Sequence, residues 1–243
     1  MRLLGQGSNL MYSITIFFPM FNEEDNIIRS VSCARQVLEE ITDDYEILIV
    51  NDGSIDRTGE LAEELAKKDD KVRVIHHPKN IGLGGAVTTG FKNGRCEYIL
   101  YMDGDNPFEV SEVKKALPHL EGYDVITGYR IDRRDTLRRY VYSKVYNWLI
   151  RTLFGLKSRD VNFSFKICRR DIFQKIELKS KGSFIDAELL IKARNNNLRV
   201  KEIPIEYTPR KGGTSTLSKP YVIIKILFEM VKLWPELKNR HEK

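Results

Sequence analysis

Glu46-Ile-Leu-Ile-Val-Asn-Asp-Gly-Ser-Ile-Asp56 decides the fold class. Four consecutive apolar residues, Ile47 to Val50, show no alternation, which is the pattern of a strand buried on both faces. Asn51 to Asp56 is a cluster of turn-forming polar residues that ends it. From Asp56 to Lys68 the apolar residues Leu61, Ala62, Leu65 and Ala66 recur at helical spacing. Buried strand, polar turn and amphipathic helix make half of a βαβ unit, and the same unit recurs on either side. Ser13 to Pro19 reads as a strand, and Glu23 to Glu40 as a helix carrying Ile27, Ile28, Val31, Ala34, Val37 and Leu38 on one face. Val72 to Ile75, Tyr98 to Met102 and Asp124 to Thr127 read as further strands, and Gly82 to Lys92 as a short helix. This alternation predicts an α/β fold: a mostly parallel sheet with helices on both faces and ligands beyond the carboxyl ends of the strands.

The pattern changes after Gly128. A long basic, aromatic-rich helix is expected over Thr136 to Phe154, a strand over Phe163 to Ile167, a helix over Asp186 to Asn195, a strand over Val200 to Tyr207, a loop over Pro209 to Ser218 and a closing helix over Tyr221 to Trp234. With neither repeat nor linker in the 243 residues, the chain reads as one domain over 12–217, followed by a C-terminal amphipathic helix and tail over 218–243. No uninterrupted apolar stretch approaches the ~18–20 residues of a membrane-spanning helix, and Met1 to Met11 lacks the apolar centre of a secretory signal. Cys33, Cys96 and Cys168 are odd in number and widely spaced, which argues against a disulfide framework or zinc site and for a reducing, cytoplasmic setting. His76 and His77 read as ordinary loop residues.

Net charge is +6, yet Tyr129 to Arg159 alone carries nine basic and two acidic residues. Such an excess points to an anionic partner for one surface. The Thr136–Phe154 helix adds Leu137, Val141, Val145, Trp148, Leu149 and Leu153 on one broad face. In the last helix Lys225, Glu229 and Lys232 form one stripe among apolar residues. Basic and aromatic content of this kind suits a helix lying in a membrane interface; packing on the sheet or on a second subunit is the alternative.

Polar groups follow three strand ends: Pro19-Met-Phe-Asn22-Glu23, Asn51-Asp52-Gly53-Ser54-Ile-Asp56 and Asp103-Gly104-Asp105. Each alone could be a cap or a turn. In a parallel sheet all three fall on one edge. Asp103 and Asp105 could together hold a hard divalent cation whose shell is completed by substrate phosphates. Asn80-Ile-Gly82-Leu-Gly84-Gly85-Ala86 opens a helix and offers backbone N–H groups to a ligand, but it is neither a dinucleotide fingerprint nor a P-loop.

These segments, with Asn80-x-Gly-x-Gly-Gly-Ala86-x-x-x-Gly90, Gly128-x-Arg130 and Arg210-x-Gly-Gly-x-Ser215, occur in the order seen in family 2 glycosyltransferases of the GT-A fold, and the chain resembles their polyprenyl-phosphate glycosyltransferases, the dolichol-phosphate mannose synthase group. The resemblance implies a nucleotide-sugar donor held by Pro19, Asn22, Glu23, Asp52, Gly82, Asp103, Arg210 and Ser215. It implies an acceptor phosphate met by Arg130, Arg139 and Ser143, and Mg²⁺ or Mn²⁺ on Asp105. Asp103, Asp105, Arg130 and Asp186 become the catalytic candidates. Phe21 stands where the family usually has Tyr, Asn51 where it has a first Asp, and Pro107 where it often has a metal-binding Gln; Asn106 or Glu109 could substitute.

A phosphate monoester, with a second pKa of about 6, is mostly dianionic at pH 7 and needs cations rather than a base. The basic segment after Arg130 therefore favours a phosphate acceptor, which the resemblance implies is a polyprenyl phosphate at a cytoplasmic membrane face, with the protein peripheral to that membrane. A saccharide hydroxyl acceptor would need a carboxylate base, for which Asp160, Asp186 and Glu188 are the candidates. A basic nucleic-acid-binding module would leave the acidic strand ends unexplained, and a non-catalytic nucleotide-sugar-binding protein is the remaining alternative.

Overall fold

A computed structural model describes residues 12–104, 109–131, 137–206 and 220–238. Seven strands form one sheet: β1 Ile14–Met20, β2 Tyr45–Asn51, β3 Val72–His76, β4 Tyr98–Tyr101, β5 Val125–Arg130, β6 Lys166–Arg169 and β7 Val200–Ile205. Their order is β3-β2-β1-β4-β6-β5-β7. β1 pairs in parallel with β2 and β4, β2 with β3, and β5 with β7. β6 alone runs antiparallel, to β4 on one side and β5 on the other.

The helices are α1 Ile27–Glu39, α2 Thr58–Lys68, α3 Leu83–Asn93, α4 Leu137–Phe154, α5 Ile185–Asn195 and α6 Pro220–Lys238, with 3-10 turns between β4 and β5 and after β6. All seven residues of β1 and of β2 are buried, as unalternating apolar runs require. Alternate side chains of β1 feed two cores. Ile14, Ile16, Phe18 and Met20 join Ile27, Val31, Ala34 and Leu38 of α1 on one face. On the other, Phe17 joins residues of α3, α4, α5 and α6. Gly90 is required there, because a Cβ would fall on the Phe17 ring.

Three expectations are corrected. The helix after β1 begins at Ile27 rather than Glu23, since Glu23 to Asn26 turn to bond the loop after β2. The strand expected over Phe163 to Ile167 lies at Lys166–Arg169, and the carbonyls of Val161 and Phe163 accept from Lys166 Nζ instead of joining the sheet. The closing helix runs from Pro220 to Lys238, past Pro235.

Candidate active site

The carboxyl ends of β1, β2 and β4 lie side by side, so the polar segments that follow them share one edge. Asn22 adopts positive φ (57°), and its Oδ1 accepts from the Ile55 amide at 3.0 Å. The Asn22 amide donates to Ser54 Oγ, the Glu23 amide to Thr58 Oγ1 at 2.8 Å, and the Glu24 amide to Asp56 Oδ2. Pro19 is buried in β1 opposite Val50. The loops after β1 and β2 are thus one stitched unit.

Asp52 joins that unit to the glycine loop. Its Oδ1 accepts from the Ile81 amide at 2.9 Å and its Oδ2 from the Gly82 amide at 3.0 Å. His77 Nδ1 lies 2.7 Å from Asp52 Oδ1, and His77 Nε2 lies 3.0 Å from Thr89 Oγ1. The network fits the tautomer in which Nδ1–H donates to the carboxylate. His77 is therefore more than the ordinary loop residue expected. Its signal was its place just past β3, on the same edge. Asn51, in the position of the family's first Asp, accepts from the Ser54 amide and meets His76 Nδ1 at 2.9 Å.

Asp103 follows β4. One of its oxygens accepts from Tyr101 Oη at 2.6 Å, and the Tyr101 ring stacks on Phe17. The Gly104 carbonyl accepts from Ser30 Oγ at 2.7 Å. Asp105, with Asn106 and Pro107, lies outside the described residues, as do Arg210 and Ser215; the Arg139 side chain is likewise not described.

Across the edge, the end of β5 carries Arg130 in a bidentate pair with Asp160: Nε to Oδ2 at 2.7 Å and Nη2 to Oδ1 at 3.1 Å. Both side chains are buried. Deeper still, Lys166 of β6, wholly buried, pairs with Asp186, its Nζ 2.7 Å from Oδ1. Burial pushes the Asp186 carboxyl up to about 6; Lys166 draws it back down, and the charges of Asp103 and Asp160 add to the rise. Glu188 is fully buried and accepts from the Lys179 and Ser180 amides, with Lys192 Nζ at 2.8 Å. All three carboxylates considered as bases are thus held by cations or amides.

A cavity of about 640 Å³ opens beside Arg130, lined among others by Tyr129, Lys144, Trp148, Arg151 and Arg159. Arg159 covers the Tyr129 ring at 4.5 Å. Ser143 lies one α4 turn before Asn147, which donates to the Ser143 carbonyl and accepts from the Val161 amide. Lys166 and Tyr129 were not singled out in the sequence. A lysine between Phe165 and Ile167 was the only signal for the first.

A divalent cation can be tested against this edge. Among the described residues no three His, Cys, Asp or Glu side chains converge as a metal cage. Asp103 offers one carboxylate at the end of β4, its other oxygen tied to Tyr101. That donor set fits a hard ion held by one or two carboxylates and completed by substrate oxygens.

Comparison with known proteins bears on the family and the fold. The sequence model described as "Glycosyl transferase family 2" matches residues 15–177. Polyprenol monophosphomannose synthase of Mycolicibacterium smegmatis is 34% identical over 216 residues, which are 84% of this chain and 80% of that protein. Undecaprenyl-phosphate 4-deoxy-4-formamido-L-arabinose transferase of Pseudomonas fluorescens is 27% identical over 225 residues, 91% of this chain but 64% of that protein. Among solved structures, glucosyl-3-phosphoglycerate synthase of Mycobacterium tuberculosis, in complex with Mn²⁺, UDP and glucosyl-3-phosphoglycerate, superposes with a TM-score of 0.70 at 16% identity, covering 94% of this chain and 80% of that one. At that identity the likeness speaks for the fold, which is the expected GT-A arrangement. The chain belongs to glycosyl transferase family 2.

Proposed function

We propose that this chain transfers a hexosyl residue, with inversion, from a nucleotide sugar to a polyprenyl phosphate at the cytoplasmic face of a membrane. The reading rests most on one observation: Asp160, Asp186 and Glu188 are each committed to a buried cation or to backbone amides. An acceptor hydroxyl would find none of these three ready to take its proton, whereas a phosphate dianion needs no base. The names of the Mycolicibacterium and Pseudomonas relatives point to the same acceptor class.

In this reading the stitched loops carrying Pro19, Asn22, Glu23 and Asp52, with Gly82 and Asp103, seat the donor, and Arg210 and Ser215 contribute to binding it. Arg130, oriented by Asp160, and Arg139 and Ser143 of α4 orient the acceptor phosphate. Its oxygen forms the new bond to the anomeric carbon as the bond to the diphosphate breaks, and the electron pair leaves with the nucleoside diphosphate. No proton need move. Mg²⁺ or Mn²⁺ on Asp105, beside Asp103, would supply neutralisation of the departing diphosphate.

The catalytic unit is residues 12–217, with 218–243 as an interfacial helix and tail. No described helix is long and apolar enough to cross a membrane. Two helices nevertheless present apolar side chains outward: Val141, Val145 and Trp148 (62% exposed) on α4, and Ile224, Leu227, Phe228 (68% exposed) and Val231 on α6. Lys144, Lys225 and Lys232 are exposed on the same helices, which suits an anionic bilayer surface.

The test offers UDP- and GDP-hexoses with polyprenyl phosphate in mixed micelles, with and without Mn²⁺, and follows label into the lipid fraction. Label in lipid is expected from one nucleotide class. Label on a free saccharide with none in lipid overturns the acceptor. Replacing Trp148 and Phe228 by Ser should lower partition onto vesicles containing phosphatidylglycerol while leaving donor binding intact; unchanged partition removes the membrane part.

A further inference from the structure

The glycine loop that opens α3 is held from two sides. Asp52 takes the Ile81 and Gly82 amides from below. From above, the segment Ser180-Lys181-Gly182 lies so close that a Cβ on Gly82 would fall on the Lys181 carbonyl oxygen, and one on Gly84 on the Ser180 carbonyl oxygen. The Gly84 amide donates to the Lys181 carbonyl at 3.0 Å. Whatever fixes residues 180–182 therefore fixes the loop.

Two carboxylates do so. Glu188 of α5 accepts the Lys179 and Ser180 amides. Glu229 of α6 accepts from Ser180 Oγ at 2.7 Å and from the Lys181 amide at 3.2 Å, and its Oε2 would lie 2.9 Å from a Cβ on Gly182. Lower on α6, Glu236 pairs with Lys179 and Lys192 at 3.0 and 2.8 Å. α6 thus has three faces: Ile226, Met230, Leu233 and Leu237 buried on α5, the apolar side chains that point outward, and a polar stripe that grips the strap over the glycine loop.

We infer that Glu229 is a positioning residue for the donor site: by gripping Ser180 and Lys181 it holds the glycine loop in the shape that receives the nucleotide diphosphate. This rests on the reading that the loop receives the donor. A helix remote in sequence from the glycine loop and from Asp52 then sets donor affinity.

Glu229→Met keeps the volume and removes both acceptors. Glu229→Gln keeps an oxygen for the Lys181 amide and an NH₂ that Ser180 Oγ can accept. Calorimetric titration with UDP and with GDP in Mn²⁺ should show nucleotide Kd, and donor KM with it, rising about tenfold in Glu229→Met and staying within about twofold of wild type in Glu229→Gln, with kcat and acceptor KM unchanged. Hydrogen exchange should quicken at the amides of residues 81–86 in Glu229→Met without nucleotide present. Ser180→Ala, which leaves the strap backbone intact, should give a smaller loss of the same kind and serves if Glu229→Met does not fold. A lowered Tm with unchanged nucleotide Kd and unchanged exchange at 81–86 overturns the inference and leaves the donor reading standing. A wild-type chain that binds neither nucleotide overturns the donor reading and this inference together.

Discussion

The two sides of the cleft are built from different forces. On the donor side the carboxylates face backbone amides: Asp52 on Ile81 and Gly82, and Asp56 on Glu24 and Thr58. On the acceptor side they face buried cations: Asp160 on Arg130 and Asp186 on Lys166. Amide-bonded loops are rigid, which suits a site that reads a nucleotide by shape. Buried ion pairs fix the direction of a cationic side chain while cancelling much of its charge, and they are costly to leave half-made.

That difference is broken most severely at Lys166. Lys166→Met strands Asp186 beside Asp103 and Asp160, and removing one partner of a buried pair costs about 3–5 kcal/mol. Chemical denaturation should show that loss at pH 7, and a smaller one at pH 5, where Asp186 takes up a proton. Adding Asp186→Leu should return most of the stability, because two apolar side chains can replace a buried pair. A single variant as stable as wild type would mean that the pair carries no such tension. The donor side responds differently. Gly84→Ala places a methyl group against the Ser180 and Gly182 carbonyls, so backbone must shift, at about 1–3 kcal/mol. The expected reading is a raised donor KM with acceptor KM unchanged in steady-state kinetics.

The same contrast explains what the sequence revealed. Donor-side motifs are short, continuous and follow strand ends, so a buried apolar run with Asn51-Asp-Gly-Ser or Asp103-Gly behind it places the residue and its edge together. The acceptor side is assembled from residues distant in sequence. Nothing local to Lys166 announces Asp186, and Arg130 gives no sign that Asp160 occupies it. β6 was misplaced for the same reason: Phe163 and Phe165 read as strand residues, but both face the core from a loop whose carbonyls serve the buried ammonium. His77 was legible only once β3 was set beside β2, which the apolar pattern gives without the register.

pH sharpens the contrast further. Asp186 in the folded chain sits at about 6, above its ordinary value, so the protonated native form is favoured. Its contribution to stability is fully present below about 3.8 and is lost as pH rises through 6. The stability gap between wild type and Asp186→Asn should therefore shift against wild type between pH 4 and 6. Transfer has the opposite sign, because the charged pair and the acceptor dianion both disappear below about 6. The acid limb of log rate against pH should have a slope approaching two in wild type and one in Asp186→Asn. Equal slopes would leave the acceptor phosphate as the group that titrates.

The smallest effect expected is at His77, and it is the most specific to the donor side. His77→Ala removes one of three hydrogen bonds to Asp52 and leaves the Ile81 and Gly82 amides in place. The net value of such a bond is about 1 kcal/mol, so nucleotide affinity should fall about fivefold, with acceptor KM untouched. His77→Asn should recover part of that, since its amide can donate towards the same carboxylate oxygen. The imidazole also touches Thr89 in the second turn of α3, so a loss well above tenfold would mean that His77 fixes the helix as well as the carboxylate. Thr89→Val separates the two: it removes the helix contact alone, and it should leave nucleotide affinity near wild type if Asp52 is what His77 serves.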